Sequence, residues 1–348
     1  MVRSPRVRIG FILPANYCVS GPGNGVRVQA LCQAAALRRL GHDVRTLDPW
    51  TPYQRGSLDV VQFFLGGGAN HGIELMRSAG LGTLVFAPII DSNEPNSRYR
   101  WAARLGSVVP KVFTVPSIFR SQATGSDLVI CRSRHEERRL VEGLGVPKER
   151  IRIVLNGVDP PAPGDPGEAI RLHRLPPEGW LLHVGKYGDP RKNALGLIEA
   201  VGPTGLPLVI AGNAEETPYK ARVIEAARRH PNVTLLGVQP PELLQALYAG
   251  CRVFCLPSVH EGTGLVALEA AVHGAAVVIT RHGGPPDYFG DLAEYVDPDD
   301  VAGIRQAILR SWERPRDGKL RAHVLENLTW DRSASALLDA YASVRRAV

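Results

Sequence analysis

The chain has 348 residues, 44% of them hydrophobic and 22% charged, a globular balance that excludes disorder and leaves room for two domains of roughly 150 residues each. Its longest apolar runs, such as "TLVFAPII" at 83–90, fall short of the ~20 residues that a membrane span needs. The formal charge of +7 points to an anionic partner, and five cysteines without CxxC spacing argue against both a disulfide framework and a zinc site.

The N-terminal "MVRSPRVRIGFILPANYC" reads as a basic lead into a first strand at 6–13. It lacks the longer apolar core of a signal peptide, so a cytoplasmic location is expected. Further strands are predicted at 43–47, 58–65, 82–90, 127–133 and 151–157. Between the first two, "VRVQALCQAAALRRLGH" predicts a helix with Leu31, Ala34, Ala35 and Leu37 turned inward, closed by Gly41. Residues 98–139 carry nine Arg or Lys against three acids, which makes an anionic lipid surface or a phosphorylated substrate a candidate partner.

Six prolines in "VDPPAPGDPGEAIRLHRLPPEG" predict a linker over 158–179, because proline fixes φ and removes a donor. The strand-and-helix rhythm resumes with strands at 180–186, 207–213, 232–238, 251–258 and 275–280. Such alternation predicts an α/β protein of two Rossmann-like, doubly wound lobes, 1–157 and 180–330, facing a central cleft where ligands sit outside the carboxyl ends of the strands.

The loop "VHEGTG" leaves the carboxyl end of the strand at 251–258 and opens a helix. A glycine corner there exposes backbone N–H groups at the positive end of a helix, a setting for phosphate. Glu261 and Glu269 flank the corner. Carboxylates would repel a phosphate, so they are expected to accept hydrogen bonds from sugar hydroxyls, one on the hexose and the other on the ribose of a nucleotide sugar.

"EGTGLVALE" resembles the E-x7-E motif of the family-4 retaining glycosyltransferases, which have the two-lobed GT-B fold. "EAAVHGAAVVIT", the Gly283–Gly284 pair and "YVDPDD" extend the resemblance over nearly all of the C-terminal half. It implies a front-face transfer of a hexose from a UDP- or GDP-linked sugar to a hydroxyl acceptor. On the same basis "HVGKYGDPRKN" supplies Lys186 and Lys192 to the donor diphosphate, with lysine where arginine is common. Arg191 is expected to be solvated. Gly262, Thr263, Gly264 and Leu265 are expected to offer backbone donors to the donor substrate, with His260, Gly185 and Asn213 lining its site.

In the N-terminal half, counting back from "LGHDV" places Asn24 and Gly25 on the family's Gly-Gly loop. The histidines of many relatives are replaced by "DVVQFF" and "PIIDSN", leaving Asp91, Asn93 and Glu94 to orient an acceptor hydroxyl or to cap helices, and His71 as a further candidate. Asp297-Pro298-Asp299 resembles a structural turn, with Asp299 or Asp300 as an N-cap, so no metal is expected. No cofactor is expected beyond the nucleotide-sugar co-substrate, and no nucleic acid. "LTWDRSASALLDAYASV" resembles the family's last helix, expected at about 333–348 to pack back on the first lobe. The basic stretch suggests a lipid-linked acceptor and peripheral contact with an anionic membrane at the inner face. Two other readings fit the residues: a non-catalytic nucleotide-sugar-binding subunit, and an NDP-sugar epimerase of the same fold.

Overall fold

Twelve strands, among the described residues, gather into two six-stranded sheets in which every pairing is parallel. A computed structural model describes residues 5–13, 25–48, 50–64, 77, 79–108, 112–161, 164–213 and 216–345. The first sheet contains β1 (Arg8–Ile12), β2 (Asp43–Thr46), β3 (Val60–Phe64), β4 (Thr83–Ala87), β5 (Leu128–Cys131) and β6 (Ile151–Ile153), in the order β2-β1-β3-β4-β5-β6. The second contains β7 (Trp180–Val184), β8 (Leu208–Ala211), β9 (Val233–Gly237), β10 (Cys251–Leu256), β11 (Ala276–Thr280) and β12 (Glu294–Val296), in the order β12-β11-β10-β7-β8-β9. In each sheet the order reverses beside the first strand, as in a doubly wound fold. The central strands are near-continuous apolar runs because helices cover both faces. All five residues of β3 and of β7 are buried.

The chain divides into two compact units, Met1–Gly157 with Trp330–Val348, and Val158–Thr329. The proline-rich stretch 158–179 belongs to the second unit and contains a helix, Pro166–His173, which packs on the helix Pro241–Gly250. One of its prolines serves that helix instead of interrupting it: Asp165 caps the N-terminus, accepting from Gly167 N, and Pro166 occupies the first turn, where no donor is needed.

The helix Gly25–Arg39 begins and ends near the predicted bounds, with Gly41 at φ +92° accepting the turn that a side chain would strain. Its inward face differs from the expectation. Leu31 is exposed and Ala35 only partly covered, whereas Gln29 and Gln33 are buried with Ala30, Ala34, Ala36 and Leu37. Gln29 goes inside because Asn156 Nδ2 donates to its side-chain oxygen at 3.2 Å; a partnered amide tolerates burial that an apolar count does not foresee. The C-terminal helix Trp330–Arg345 packs against this one, burying Ala334, Leu337 and Tyr341 and leaving Leu338 partly covered. Tyr341 Oη donates to Gln62 Oε1 at 2.6 Å, so the glutamine that departs from the family pattern on β3 is tied into the core.

β12 comes immediately before the Asp297-Pro298-Asp299 turn and is not among the predicted strands. Three residues, Glu294–Val296, pair with Val278–Thr280 as an edge strand, and so short a run shows no period. Asp300, not Asp299, caps the helix Val301–Glu313, accepting from Gly303 N at 2.8 Å.

Candidate functional site

The carboxyl ends of β7 and β10 are neighbours in the second sheet, so the loops that leave them meet. After β10 the chain runs through His260 and Glu261 to Gly264, whose φ of +78° turns it into the helix Leu265–Val272. No side chain caps that helix, and the Gly264 carbonyl accepts from Ala267 N and Leu268 N. The backbone N–H groups of Leu265 and Val266, the first two residues of the helix, therefore point outward at the positive end of the helix dipole. Thr263 is buried, its hydroxyl 3.2 Å from Tyr288 Oη.

Glu261 is fixed by its backbone. Its N–H donates to the His282 carbonyl at 3.1 Å, and its carbonyl accepts from Gly284 N at 2.9 Å. Between these two bonds stands Gly283 at φ +104°, where a Cβ would lie 2.0 Å from the Glu261 carbonyl oxygen.

After β7 comes Gly185, then the exposed Lys186, then a single 3-10 turn over Pro190–Lys192 capped by Asp189. This turn is tied to the other loop at three points. Val259 N donates to the Arg191 carbonyl at 2.8 Å, Arg191 Nη1 donates to the His260 carbonyl at 2.9 Å, and Lys192 Nζ donates to Glu261 Oε1 at 2.5 Å. Arg191 is thus not merely solvated, since it holds the loop that presents Glu261. Asn193, at φ +53°, donates to the Pro257 and Pro298 carbonyls and fixes the end of the turn.

Burial alone would raise the Glu261 pKa, but the Lys192 and Arg191 charges outweigh it and hold the carboxyl below the ordinary range. Glu269 behaves oppositely. Burial pushes its pKa up, and the hydroxyl of Tyr248, donating to Oε2 at 2.8 Å, opposes that only in part. The two glutamates therefore differ in kind: one is an anion locked to a cation, the other a carboxyl under pressure to hold its proton.

Two residues that the motifs do not mark complete this region. Tyr248, from the helix Pro241–Gly250, is fully buried and orients Glu269. His183, inside β7, is fully buried, with Nδ1 2.8 Å from the Cys255 carbonyl. A carbonyl only accepts, so Nδ1 carries the proton and Nε2 is bare, and Nε2 finds no partner. Burial pushes the ring pKa down to about 4, with Lys192 adding to the effect and Glu261 and the Cys255 bond opposing it. A polar residue amid "WLLHVG" is the available signal. Tyr248 offers none, because 21 residues separate it from Glu269.

The structure therefore brings together Glu261, Lys192, His260, Gly262, Thr263, Gly264, Leu265 and Gly185, with Glu269 one helical stretch further on. Gly185 lies beside Lys192, its would-be Cβ 3.7 Å from Lys192 Cδ. Asn213 is exposed after β8, next to Gly212, whose would-be Cβ meets the Gly185 carbonyl at 2.1 Å. Asp91 and Gly25 belong to the first unit. Asp91 follows β4, where Ile89 adopts φ +53°, and its carboxylate accepts from Arg132 Nη2 at 2.7 Å. Arg132 also holds Glu136, whose Oε1 accepts from Ile90 N at 2.6 Å. Glu94 pairs with Arg98 at 2.6 Å. Asn24 and His71 lie outside the described residues.

Residues 23–161 match the family model described as Glycosyltransferase Family 4, and residues 178–314 match that described as Glycosyl transferases group 1. The chain belongs to the family-4 glycosyltransferases. Among curated relatives, O-antigen chain mannosyltransferase B of Escherichia coli is 29% identical over 52% of this chain and 50% of the relative. Phosphatidyl-myo-inositol mannosyltransferase of Mycolicibacterium smegmatis is 26% identical over 91% of this chain and 86% of the relative. The chain spans about half the length of several curated relatives it matches, 50% and 58% for two of them. In fold it resembles a glycosyltransferase from Rickettsia africae, with a TM-score of 0.78 at 15% identity over 99% of this chain and 100% of that one. It also resembles Anabaena HepE in complex with UDP and glucose, with a TM-score of 0.68 at 16% identity over 97% and 100%. The fold is GT-B, built of two Rossmann-like lobes.

Proposed function

We propose that the protein is a metal-independent, retaining glycosyltransferase that moves a hexose from a UDP- or GDP-linked sugar to a hydroxyl acceptor. The observation that carries this reading is the ion pair between Lys192 and Glu261 at a glycine corner that opens a helix without a side-chain cap. A diphosphate entering that corner competes for Lys192, with Lys186 nearby, and frees Glu261 to accept from the hexose hydroxyls. The N–H groups of Gly262 to Leu265 meet phosphate oxygens, and Glu269 takes the ribose. His260, Gly185 and Asn213 line the donor site.

In a front-face reaction the bond from the sugar carbon to the diphosphate breaks as the acceptor oxygen bonds on the same side. A phosphate oxygen takes the acceptor proton. The lysines and the helix dipole stabilise the negative charge that grows on the leaving group, so no metal and no strong protein base is required. On the acceptor side, Asp91, held by Arg132, orients the hydroxyl. The similar structure solved with UDP and glucose supports the donor class, and the relative named for phosphatidyl-myo-inositol supports a lipid-linked acceptor at an anionic membrane.

The test is a thermal-shift panel of UDP, GDP and their sugars, since a ligand bound only by the native state raises Tm, followed by assay of diphosphate release with and without acceptors. Release that Glu261→Ala abolishes is expected. Binding without release under any acceptor would instead mark a binding subunit, and interconversion of free sugars an epimerase.

A further inference from the structure

We infer that the first unit docks on an anionic lipid surface through an exposed apolar and basic face of the helices Asn96–Val108 and Val115–Gly125. The inference deepens the lipid-linked acceptor of the proposed function and takes its purpose from that reading. Trp101, Arg104 and Val108 recur at helical spacing on one outward stripe, where Trp101 is 67% and Val108 79% exposed. The second helix starts beside that stripe: Thr114, which caps it, donates through Oγ1 to the Ala102 carbonyl at 2.8 Å. The helices close on each other at Gly106, where a Cβ would fall 2.3 Å from Ser117 Oγ. This packing leaves Phe113 and Val115, 71% and 61% exposed, next to the turn that bears Trp101. Single exposed apolar side chains need no explanation, but four large ones around one helix junction do.

Charge selects the occupant. The sequence from 95 to 126 contains Arg98, Arg100, Arg104 and Arg120 and no Asp or Glu, the acid just before it, Glu94, being paired with Arg98. Tryptophan and aliphatic side chains at the acyl boundary, with guanidinium groups at the level of the lipid phosphates, are the composition of an interfacial anchor. A second copy of the chain would bring two such cationic faces together, at a repulsive cost. A nucleic acid would engage the arginines and rings but leave Val108 and Val115 without a role.

The test is co-sedimentation of the full chain, without donor or acceptor, with vesicles of pure phosphatidylcholine and of equimolar phosphatidylcholine and phosphatidylglycerol. Because no transfer is measured, failure of the catalytic reading leaves the result untouched. Sedimentation with the phosphatidylglycerol vesicles alone, weakening as salt rises, is the expected result. Arg98→Gln with Arg104→Gln should lower the partition coefficient roughly thirtyfold, the equivalent of about 2 kcal/mol for two cations near the surface. Trp101→Ser with Phe113→Ser should lower it at least as far, and both variants should keep the wild-type melting temperature because the replaced side chains are exposed. Equal sedimentation of wild type and both variants would overturn the proposal. So would binding to a random single-stranded RNA but to neither vesicle, or self-association that the Trp101→Ser and Phe113→Ser changes abolish while vesicles recruit nothing.

Discussion

Lys192 Nζ and Glu261 Oε1, from loops 69 residues apart, stand 2.5 Å from each other with both side chains largely covered. Each is the partner that makes the other's burial tolerable, so removing one leaves a charge without compensation. Lys192→Met should therefore destabilise the protein by about 3 kcal/mol near neutral pH as well as weaken diphosphate binding. The pH dependence separates this from a packing defect. In the wild type the Glu261 pKa is depressed, so its contribution is present above the ordinary carboxylate pKa and is lost as pH falls through the lower folded value. In the variant, burial acts unopposed by Lys192 and raises that pKa, so the penalty is greatest at high pH. Melting curves from pH 8 to pH 4 should show the gap between the two proteins narrowing towards acid; a constant gap would contradict the ion-pair account.

Glu269 makes the converse case. Its pKa is raised by burial, so folding costs free energy once pH exceeds the folded value, and the cost vanishes below the ordinary carboxylate pKa. Glu269→Gln should leave Tm at neutral pH unchanged or higher while weakening nucleotide binding measured by calorimetry. Tyr248→Phe removes the hydroxyl that donates to Oε2, and should cost about 1–3 kcal/mol with a weaker effect on nucleotide affinity. A Glu269→Gln protein that melts lower and binds nucleotide normally would remove Glu269 from the donor site.

Much of this was legible in the sequence because parallel sheets write themselves as short apolar runs, and eleven strand positions follow from that rhythm. What was not legible depends on partners far along the chain. Gln29 faces inward because Asn156 meets it. Arg191 serves the His260 carbonyl, which no local pattern announces. β12 is three residues long and owes its strand geometry to β11. The site divides in the same way: the glycine corner and the two glutamates are a motif, whereas the pairing of Lys192 with Glu261 comes from the sheet order that sets β7 beside β10, and Tyr248 meets Glu269 between the helices before and after β10.

Gly283 offers a test of the backbone that holds Glu261. Both Gly283 and Gly41 have positive φ, +104° and +92°, but Gly41 has open space around a would-be Cβ, while Gly283 places it 2.0 Å from the Glu261 carbonyl oxygen. Gly41→Ala should cost only conformational strain, on the order of 1 kcal/mol. Gly283→Ala must also push Glu261 away, costing about 3 kcal/mol or more, and should lose sugar-nucleotide binding in the fraction that remains folded. Equal melting temperatures for the two variants would mean that the loop yields without strain.

His183 predicts an acid limit to stability. Its folded pKa is pushed from 6.5 to about 4 by burial, while the unfolded chain protonates normally. Between those values the unfolded state binds the extra proton, so stability falls as pH drops through this window, by on the order of 3 kcal/mol in total. Above pH 6.5 neither state is charged and the term is absent. His42, His135 and His273 are shifted the same way, so the wild-type decline is a sum, and the informative quantity is the difference from His183→Leu. That variant leaves the Cys255 carbonyl without its donor and should be less stable at pH 8, yet its denaturation midpoint should fall less steeply between pH 6.5 and pH 4. Parallel slopes would show that the ring is reached by water or a proton before the fold opens, and that the bare Nε2 is solvated in solution.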